Sequence, residues 1–306
     1  MKKTILSALS ALAIFSAAAS GPAMSPVVSP TVPTKMEFAG QTVNLDRTDL
    51  YERLDRELTS MSYTHGSTLL TIKRANRYFP IMAPILKKNG VPEDLLYLAC
   101  IESMLDPMAV SPAKAAGLWQ FMPDTGRQYG LEVNEYVDER YDPEKATEAA
   151  CKYLKSAYDK YGNWESVAAS YNAGMGRISG ELSRQDVSTA YNLWLPRETN
   201  RYIFRLLAEK LIMENPRQFG FTLTDDQLYQ PLDYDIVEVD SAVTDWRHWA
   251  KEHGTTYLQL REHNPWIRNT YLTNRSHKLY KVKIPTKEAL YRSSQKKHTY
   301  NKNWTR

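Results

Sequence analysis

Apolar residues recur at three- and four-residue spacing along most of the first 215 positions, and the pattern changes character beyond about residue 220. Leu50, Leu54 and Leu58 share one face of NLDRTDLYERLDREL, which predicts an amphipathic helix. TLLTIKRANRYFPIMAPILKKNG predicts one or two more helices, interrupted around Pro80 and Pro84 and ended near Gly90. The next opens on Pro92, Glu93 and Asp94, residues suited to the positive end of a helix, and should stop at Asp106-Pro107. SPAKAAGLWQFMPDTGRQYGL mixes small residues, glycines and aromatics, and reads as a loop feeding a short helix capped by Asp124. DPEKATEAACKYLKSAYDKYG, started by Asp142-Pro143 and closed at Gly162, is a strong helix; WESVAASYNAG and ETNRYIFRLLAEKLIM predict two more. Residues 40 to 214 therefore predict an all-helical domain.

Beyond a polar connector, YDIVEV (234–239) and KLYKVKIP (278–285) alternate as strands do, around two short helical stretches, VTDWRHWAKEHG and TYLQLREHN. The expected fold is mainly α, an α-helical domain followed by a small α+β unit of strand, helix, helix, strand. The closing stretch sets six Lys and Arg residues, from Lys287 to Arg306, against Glu288 alone, and predicts a disordered basic tail. At the other end, MKKTILSALSALAIFSAAASG has a charged start, a short apolar run and small residues that allow cleavage before Gly21, the pattern of a secretory signal. The run is short for a membrane span, and with no cysteine near the cleavage point lipid attachment is not expected. The expected organisation is a signal peptide over 1–20, a Pro/Ser-rich linker over 21–35, a helical domain over 36–220, a connector over 221–233, the small domain over 234–286 and the tail over 287–306. Export to the periplasm or cell envelope follows, with no transmembrane span in the mature chain.

Composition adds limits. A formal charge of +4 that includes Lys2 and Lys3 leaves the mature chain nearly balanced, which argues against a nucleic-acid partner. Cys100 and Cys151, the only cysteines, sit in apolar helical contexts as buried free thiols or as a disulfide pair. No cluster of Cys, His and carboxylates has metal-ligand spacing, so neither metal nor other cofactor is expected. The chain also holds 20 Tyr and 7 Trp, and sugar rings stack on aromatic faces.

One residue breaks the hydrophobic pattern. In DLLYLACIESMLDP, Glu102 shares a helical face with Leu95, Leu98, Ala99 and Leu105. Glutamate is rarely buried unless it is paired or needed, so this is either a helix rim or ion pair, or a functional acid. Cleavage of a glycosidic bond needs a carboxylic acid whose pKa apolar surroundings have raised, and most glycosidases need a second carboxylate as well. Asp106 and Asp124 are the nearby choices. Both are better explained as turn and helix caps.

ES (102–103), GLWQFM (117–122), SYNAG (170–174) and ETNRY (198–202) occur in that order and resemble the four motifs of the soluble-lytic-transglycosylase superfamily, which shares a lysozyme-like helical fold with goose-type lysozymes. IES, AAGLWQF, TGRQYGL, YNAG and LPRET are most similar to its membrane-bound lytic murein transglycosylase D type, over a motif core of 75–215. YDIVEV, WRHWAKEHG, Asn264-Pro265 and KVKIP resemble a LysM module, a glycan-binding unit. Val243-Thr244 stands where such modules usually carry Gly-Asp, so a retained fold does not guarantee retained sugar binding, and Trp246 and Trp249 read either as sugar contacts or as core.

The resemblance implies a peptidoglycan lytic transglycosylase that cuts the β-1,4 bond between N-acetylmuramic acid and N-acetylglucosamine without water, leaving 1,6-anhydro ends, with Glu102 as acid and then base. It implies that Ser103 and Gln120 bind substrate or orient the acid, that Tyr171 and Asn172 line the groove, and that Tyr202 lies near the carboxylate. Glycan strands would be the partner, with a second contact through the LysM-like unit. Residue type alone leaves Tyr171 and Tyr202 readable as core aromatics, and Met104 and Met122 as cleft or core. The alternatives are a hydrolytic muramidase on the same fold and a non-catalytic wall-binding protein.

Overall fold

The computed structural model describes residues 28–306, so the expected signal sequence and residues 21–27 of the expected linker lie outside the described residues. The first ordered element is one the helical reading missed. β1 (Lys35–Phe38) and β2 (Gln41–Asn44) form an antiparallel hairpin through a two-residue turn, with Ala39 at φ 52° and Gly40 at φ 79°. Positive φ at both central positions matches the twist of the flanking strands. Met36, Phe38 and Val43 point into the core.

Among the described residues, eight helices build most of the main domain. α1 (Thr48–Tyr63) buries Leu50, Leu54 and Leu58, as their spacing predicts. α2 (His65–Lys88) runs unbroken through Pro80 and Pro84, against the expected interruption. Ile72, Ala75, Phe79, Met82 and Leu86 form one buried row on both sides of the prolines, and that burial offsets the backbone hydrogen bonds each ring removes. α3 (Leu96–Ser103) ends three residues before the predicted stop, because Met104 adopts the left-handed conformation and donates its N–H to the Cys100 carbonyl at 2.8 Å. The short α4 (Pro123–Gln128) starts at Pro123, so Asp124 lies inside its first turn rather than capping it. α5 (Pro143–Tyr161) is capped by Asp142, which accepts from the Lys145 N–H at 3.0 Å, and closes on Gly162 at φ 68°. α6 (Trp164–Ala173), α7 (Met175–Arg184) and α8 (Arg197–Glu214) complete the bundle, with α8 against α1, α3 and α6.

In the C-terminal unit β3 (Tyr234–Val239) and β4 (Tyr280–Pro285) pair antiparallel, flanking α9 (Trp246–Glu252) and α10 (Tyr257–His263) as the alternation predicts. Its core of Val239, Trp246, Leu260, Ile267 and Val282 also takes in Val137 from the helical domain. The Asp138 N–H donates to the Trp266 carbonyl (2.9 Å) and the Arg268 N–H to that of Tyr136 (2.8 Å), which ties the two units by backbone. Lys278 bridges Glu132 and Glu139, and Lys283 holds Glu144 at 2.6 Å.

The tail is not disordered. After α11 (Lys287–Leu290) it returns to the helical domain, where the Tyr300 N–H and His298 carbonyl meet the two ends of the Asn76 side-chain amide. Trp304 is buried against Phe79, and the Arg306 N–H reaches the Leu223 carbonyl at 3.1 Å. The charge count overlooked Tyr300 and Trp304, two aromatics four residues apart that supply apolar area enough to anchor a short segment. Cys100 and Cys151 are buried free thiols, and burial pushes Cys151 up to about 12. Among the described residues no helix is long and apolar enough to cross a membrane.

Candidate active site

Glu102 is the second-last residue of α3, at the helix end where the backbone dipole disfavours negative charge. Leu98, Ala99 and Leu105 around it are fully buried, while Glu102 itself stays half-buried. Burial pushes its carboxyl above the usual range and Glu198 adds to that. A hydrogen bond from Tyr202 and the charge of Arg205 act against it, without cancelling it. The Tyr202 hydroxyl, from α8, donates to Glu102 Oε1 at 2.6 Å. The ring is buried and its own phenol is pushed upward, first by burial and then by the neighbouring carboxylate, so it stays a proton donor to Glu102.

The second wall is the loop from Ala109 to Met122. Gly117, at φ 77°, has its α-carbon so close to Arg140 that a Cβ there would lie 1.8 Å from the Arg140 carbonyl oxygen. No other residue fits. Trp119 is buried with its Nε1–H on Thr147 Oγ1 at 2.9 Å, and the Tyr171 hydroxyl from α6 donates to the Trp119 carbonyl at 2.7 Å. Ser103 accompanies Glu102 but faces inward, its Oγ 2.8 Å from the Leu118 carbonyl and 3.0 Å from that of Ala99. The Gln120 amide donates to the carbonyls of Ala109 (3.1 Å) and Gly117 (2.9 Å).

Of the residues expected at the site, Glu102 and Tyr202 are thus brought into direct contact. Tyr171 meets the Gly117–Gln120 turn at the Trp119 carbonyl, and its phenol is raised by burial first and by Glu102 second. Ser103, Gln120 and Tyr171 hold this turn through side-chain bonds to backbone. Asn172 is exposed on α6. Met104 (45% exposed), Met108 (50%), Val110 (56%) and Met122 (42%) point outward from the two loops beside the acid, an apolar rim rather than core. Met104, Leu105 and Gln120 all have positive φ, an unusual concentration for residues with side chains and one associated with functional sites.

Two residues escaped the sequence reading. Arg205 and Glu198 form an ion pair on α8, and both act on the charge of Glu102. Arg205 lies three residues after Tyr202 and seven after Glu198, so helical spacing alone could have placed all three on one face. The alternative carboxylates are occupied elsewhere. Asp106 accepts from the Met108 N–H at 2.9 Å and pairs with Arg74 at 3.1 Å; the Asp124 side chain is 99% exposed and pairs with Arg127. Among the described residues no three His, Cys, Asp or Glu side chains group to hold a metal ion.

Two domain models match the chain. Residues 79–193 match the Transglycosylase SLT domain, and residues 235–288 match the Soluble lytic transglycosylase C-terminal LysM-like domain. The chain is 35% identical over 177 residues to membrane-bound lytic murein transglycosylase D of Escherichia coli (strain K12), covering 56% of this chain and 38% of that protein. It is 26% identical to membrane-bound lytic murein transglycosylase C of Haemophilus ducreyi, over 51% of this chain and 48% of that one. The chain thus spans well under two thirds of the length of either relative. The crystal structure of the 70 kDa soluble lytic transglycosylase of Escherichia coli overlaps it with a TM-score of 0.37 at 25% identity, over 45% of this chain and 24% of that one.

Proposed function

From a chain that carries a transglycosylase SLT domain followed by a LysM-like domain, we propose a lytic transglycosylase that cleaves the glycan strands of peptidoglycan in the cell envelope. The observation that carries the reading is Glu102: a carboxyl raised by burial, partly exposed, hydrogen-bonded by Tyr202, with Asp106, Asp124 and Glu198 each held in an ion pair.

The chemistry follows from one acid used twice. Protonated Glu102 gives its proton to the oxygen bridging N-acetylmuramic acid and N-acetylglucosamine, and the C–O bond to the muramoyl anomeric carbon breaks with the electron pair leaving on that oxygen. The resulting carboxylate then removes the proton from the muramoyl 6-hydroxyl. That oxygen bonds to the anomeric carbon, giving a 1,6-anhydro ring and restoring the acid. No water is consumed, so no second carboxylate is needed to activate one. Tyr202 steadies the carboxylate in the half-reaction where it is charged, and the exposed methionine rim offers apolar surface to the sugar faces. We assign Asn172, exposed beside Tyr171, to an acetamido group of the substrate. We assign Ser103, Gln120 and Tyr171 to holding the Gly117–Gln120 turn against the acid rather than to touching substrate. The LysM-like unit contributes position in this reading, since Trp246 is spent in its core and Trp249 is stacked on His253 at 3.7 Å.

Mass spectrometry of peptidoglycan fragments released by the protein and by its Glu102→Gln form tests the proposal. Anhydromuramoyl ends that vanish in the variant are expected. Reducing muramic-acid ends would mean hydrolysis, and no release by either form would leave a wall-binding protein.

A further inference from the structure

The helical domain and the LysM-like unit enclose a cavity of about 370 Å³ that the proposed reaction does not use. That volume falls within the roughly 300–1,000 Å³ that holds small ligands. Tyr78 and Arg77 of α2 face it from one side, Tyr234 of β3 and His263 of α10 from the other. Its cations are not equivalent. Lys283 is committed to Glu144 at 2.6 Å and Arg74 to Asp106 at 3.1 Å. Arg77 spends Nε on the Gln230 carbonyl (3.0 Å) and lies over the Tyr229 ring, but has no carboxylate partner among the described residues. Its guanidinium also reaches the Tyr78 hydroxyl, and the edge left over is open to an anion. Burial, Arg77 and Lys283 together hold His263 below its usual pKa against the charge of Glu262, the one carboxylate among the described residues of the lining. Ile81, Pro107 and Pro265 complete an apolar lining.

The cavity and the active site share one loop. Arg74, one turn before Arg77 on α2, donates to the Met104 carbonyl at 3.1 Å, two residues beyond Glu102, and Pro107 of the same loop lines the wall. Guanidinium, phenols and apolar walls suit a short peptide with a free carboxylate better than an uncharged sugar. We propose that this interdomain cavity receives the peptide stem borne by the muramoyl sugar, with Arg77 binding a stem carboxylate and Tyr78 and Tyr234 flanking it. The assignment rests on the peptidoglycan reading above.

Binding is measured by calorimetry on the full chain in its Glu102→Gln form, which removes turnover. The probes are a disaccharide-tetrapeptide from peptidoglycan, the same disaccharide without peptide, the free tetrapeptide, and inorganic phosphate. The peptide-bearing disaccharide should bind about tenfold tighter than the bare one. Adding Arg77→Gln should erase that tenfold and leave the bare disaccharide unchanged; Tyr78→Phe should remove about threefold. His263 ring resonances should shift with the free tetrapeptide and stay still in the Arg77→Gln form. Equal affinity with and without peptide, an Arg77→Gln loss shared by the bare disaccharide, or phosphate matching the tetrapeptide at His263 would each overturn the proposal. Cleavage of peptide-free glycan strands by the unsubstituted protein separates the two levels. Strands cut normally with no preference for peptide sink this inference alone, whereas strands left intact sink the activity itself.

Discussion

Glutamates at the domain boundary and the glutamate on α3 meet opposite treatment. At the boundary Glu132, Glu139 and Glu144 face Lys145, Lys278 and Lys283 in direct ion pairs. Burial works to raise the Glu139 pKa, but the Glu132 N–H and the two lysines outweigh it and hold the carboxylate below its usual range. At Glu102 the balance runs the other way: burial prevails over a tyrosine hydroxyl and a nearby arginine already engaged by Glu198. The first arrangement fixes charge in place. The second leaves a proton available. A buried, unpaired acid is not by itself a mark of catalysis, since Glu209 is buried without a partner for Oε1 and is pushed up to about 8. What sets Glu102 apart is access, because it is partly exposed beside an apolar rim while Glu209 is 5% exposed.

The largest effect expected from this contrast is on turnover. Glu102→Gln keeps size and polarity but cannot exchange the proton, and should lower the rate of anhydro-end release by at least about 10³-fold, within the range for general acid–base groups. Its thermal midpoint should stay within a few degrees of the parent. Retained activity would place the acid elsewhere. Gly117→Ala attacks the second wall instead. A Cβ 1.8 Å from a carbonyl oxygen, at φ 77°, forces the backbone to move, and should cost about 3–5 kcal/mol in denaturant unfolding. An unchanged midpoint would show that the turn relaxes without strain.

Tyr202→Phe should act more mildly, with a rate about tenfold lower and a displaced pH profile. The tyrosine hydrogen bond lowers the Glu102 pKa, so its removal raises it. The first step needs the protonated acid, and activity falls as pH rises through that pKa. The alkaline limb should therefore move to higher pH in the variant. A limb that stays put would mean that Tyr202 positions substrate rather than the acid.

How much of this was visible beforehand differs between the two regions for physical reasons. α5 was legible because Asp142-Pro143 and Gly162 mark its ends, and Leu50, Leu54 and Leu58 announced α1. The β1–β2 hairpin was not, since four-residue strands carry too little alternation to register against the helical pattern that follows. The early end of α3 was hidden because Met104, not glycine, takes the left-handed position. Glu102 stood out as the polar residue in an apolar run, and motif order pointed to Tyr202. The inward turn of Ser103, the lock made by Gln120 and the tail anchored by Trp304 depend on tertiary contacts that no local pattern encodes. The boundary ion pairs were hidden for the same reason, since Lys278 and Glu139 are far apart in the chain and exposed-looking in sequence.

Lys278→Met sharpens the boundary side of the comparison. Glu139 would keep Lys145 but lose one of its two lysines, with an expected cost of about 1–2 kcal/mol after allowing for the partial exposure of Lys278. Because the folded pKa of Glu139 is depressed, its contribution is present above the unfolded carboxylate value of about 4.3 and is lost as pH falls through the lower folded value. The parent should lose stability over that acid window and the variant should lose less. Parallel stability curves would remove Glu139 from the account.

The smallest expected effect carries the most weight against the alternative chemistry. Asp124 is the carboxylate that a hydrolytic mechanism would most readily recruit from the loop after Trp119, and its side chain is 99% exposed in an ion pair with Arg127. A base that activates water must be held within hydrogen-bond reach of that water in the productive complex, and an exposed pair screened by solvent holds nothing in place. Asp124→Asn should therefore leave the release of anhydro ends within about twofold of the parent and the product unchanged in mass, because the nucleophile in the proposed reaction is the sugar's own hydroxyl. A collapse in rate comparable to that of Glu102→Gln, with reducing ends in the parent's products, would show two carboxylates at work. The lack of a second carboxylate at Glu102 would then describe the resting state, with the second acid arriving only when substrate closes the loop.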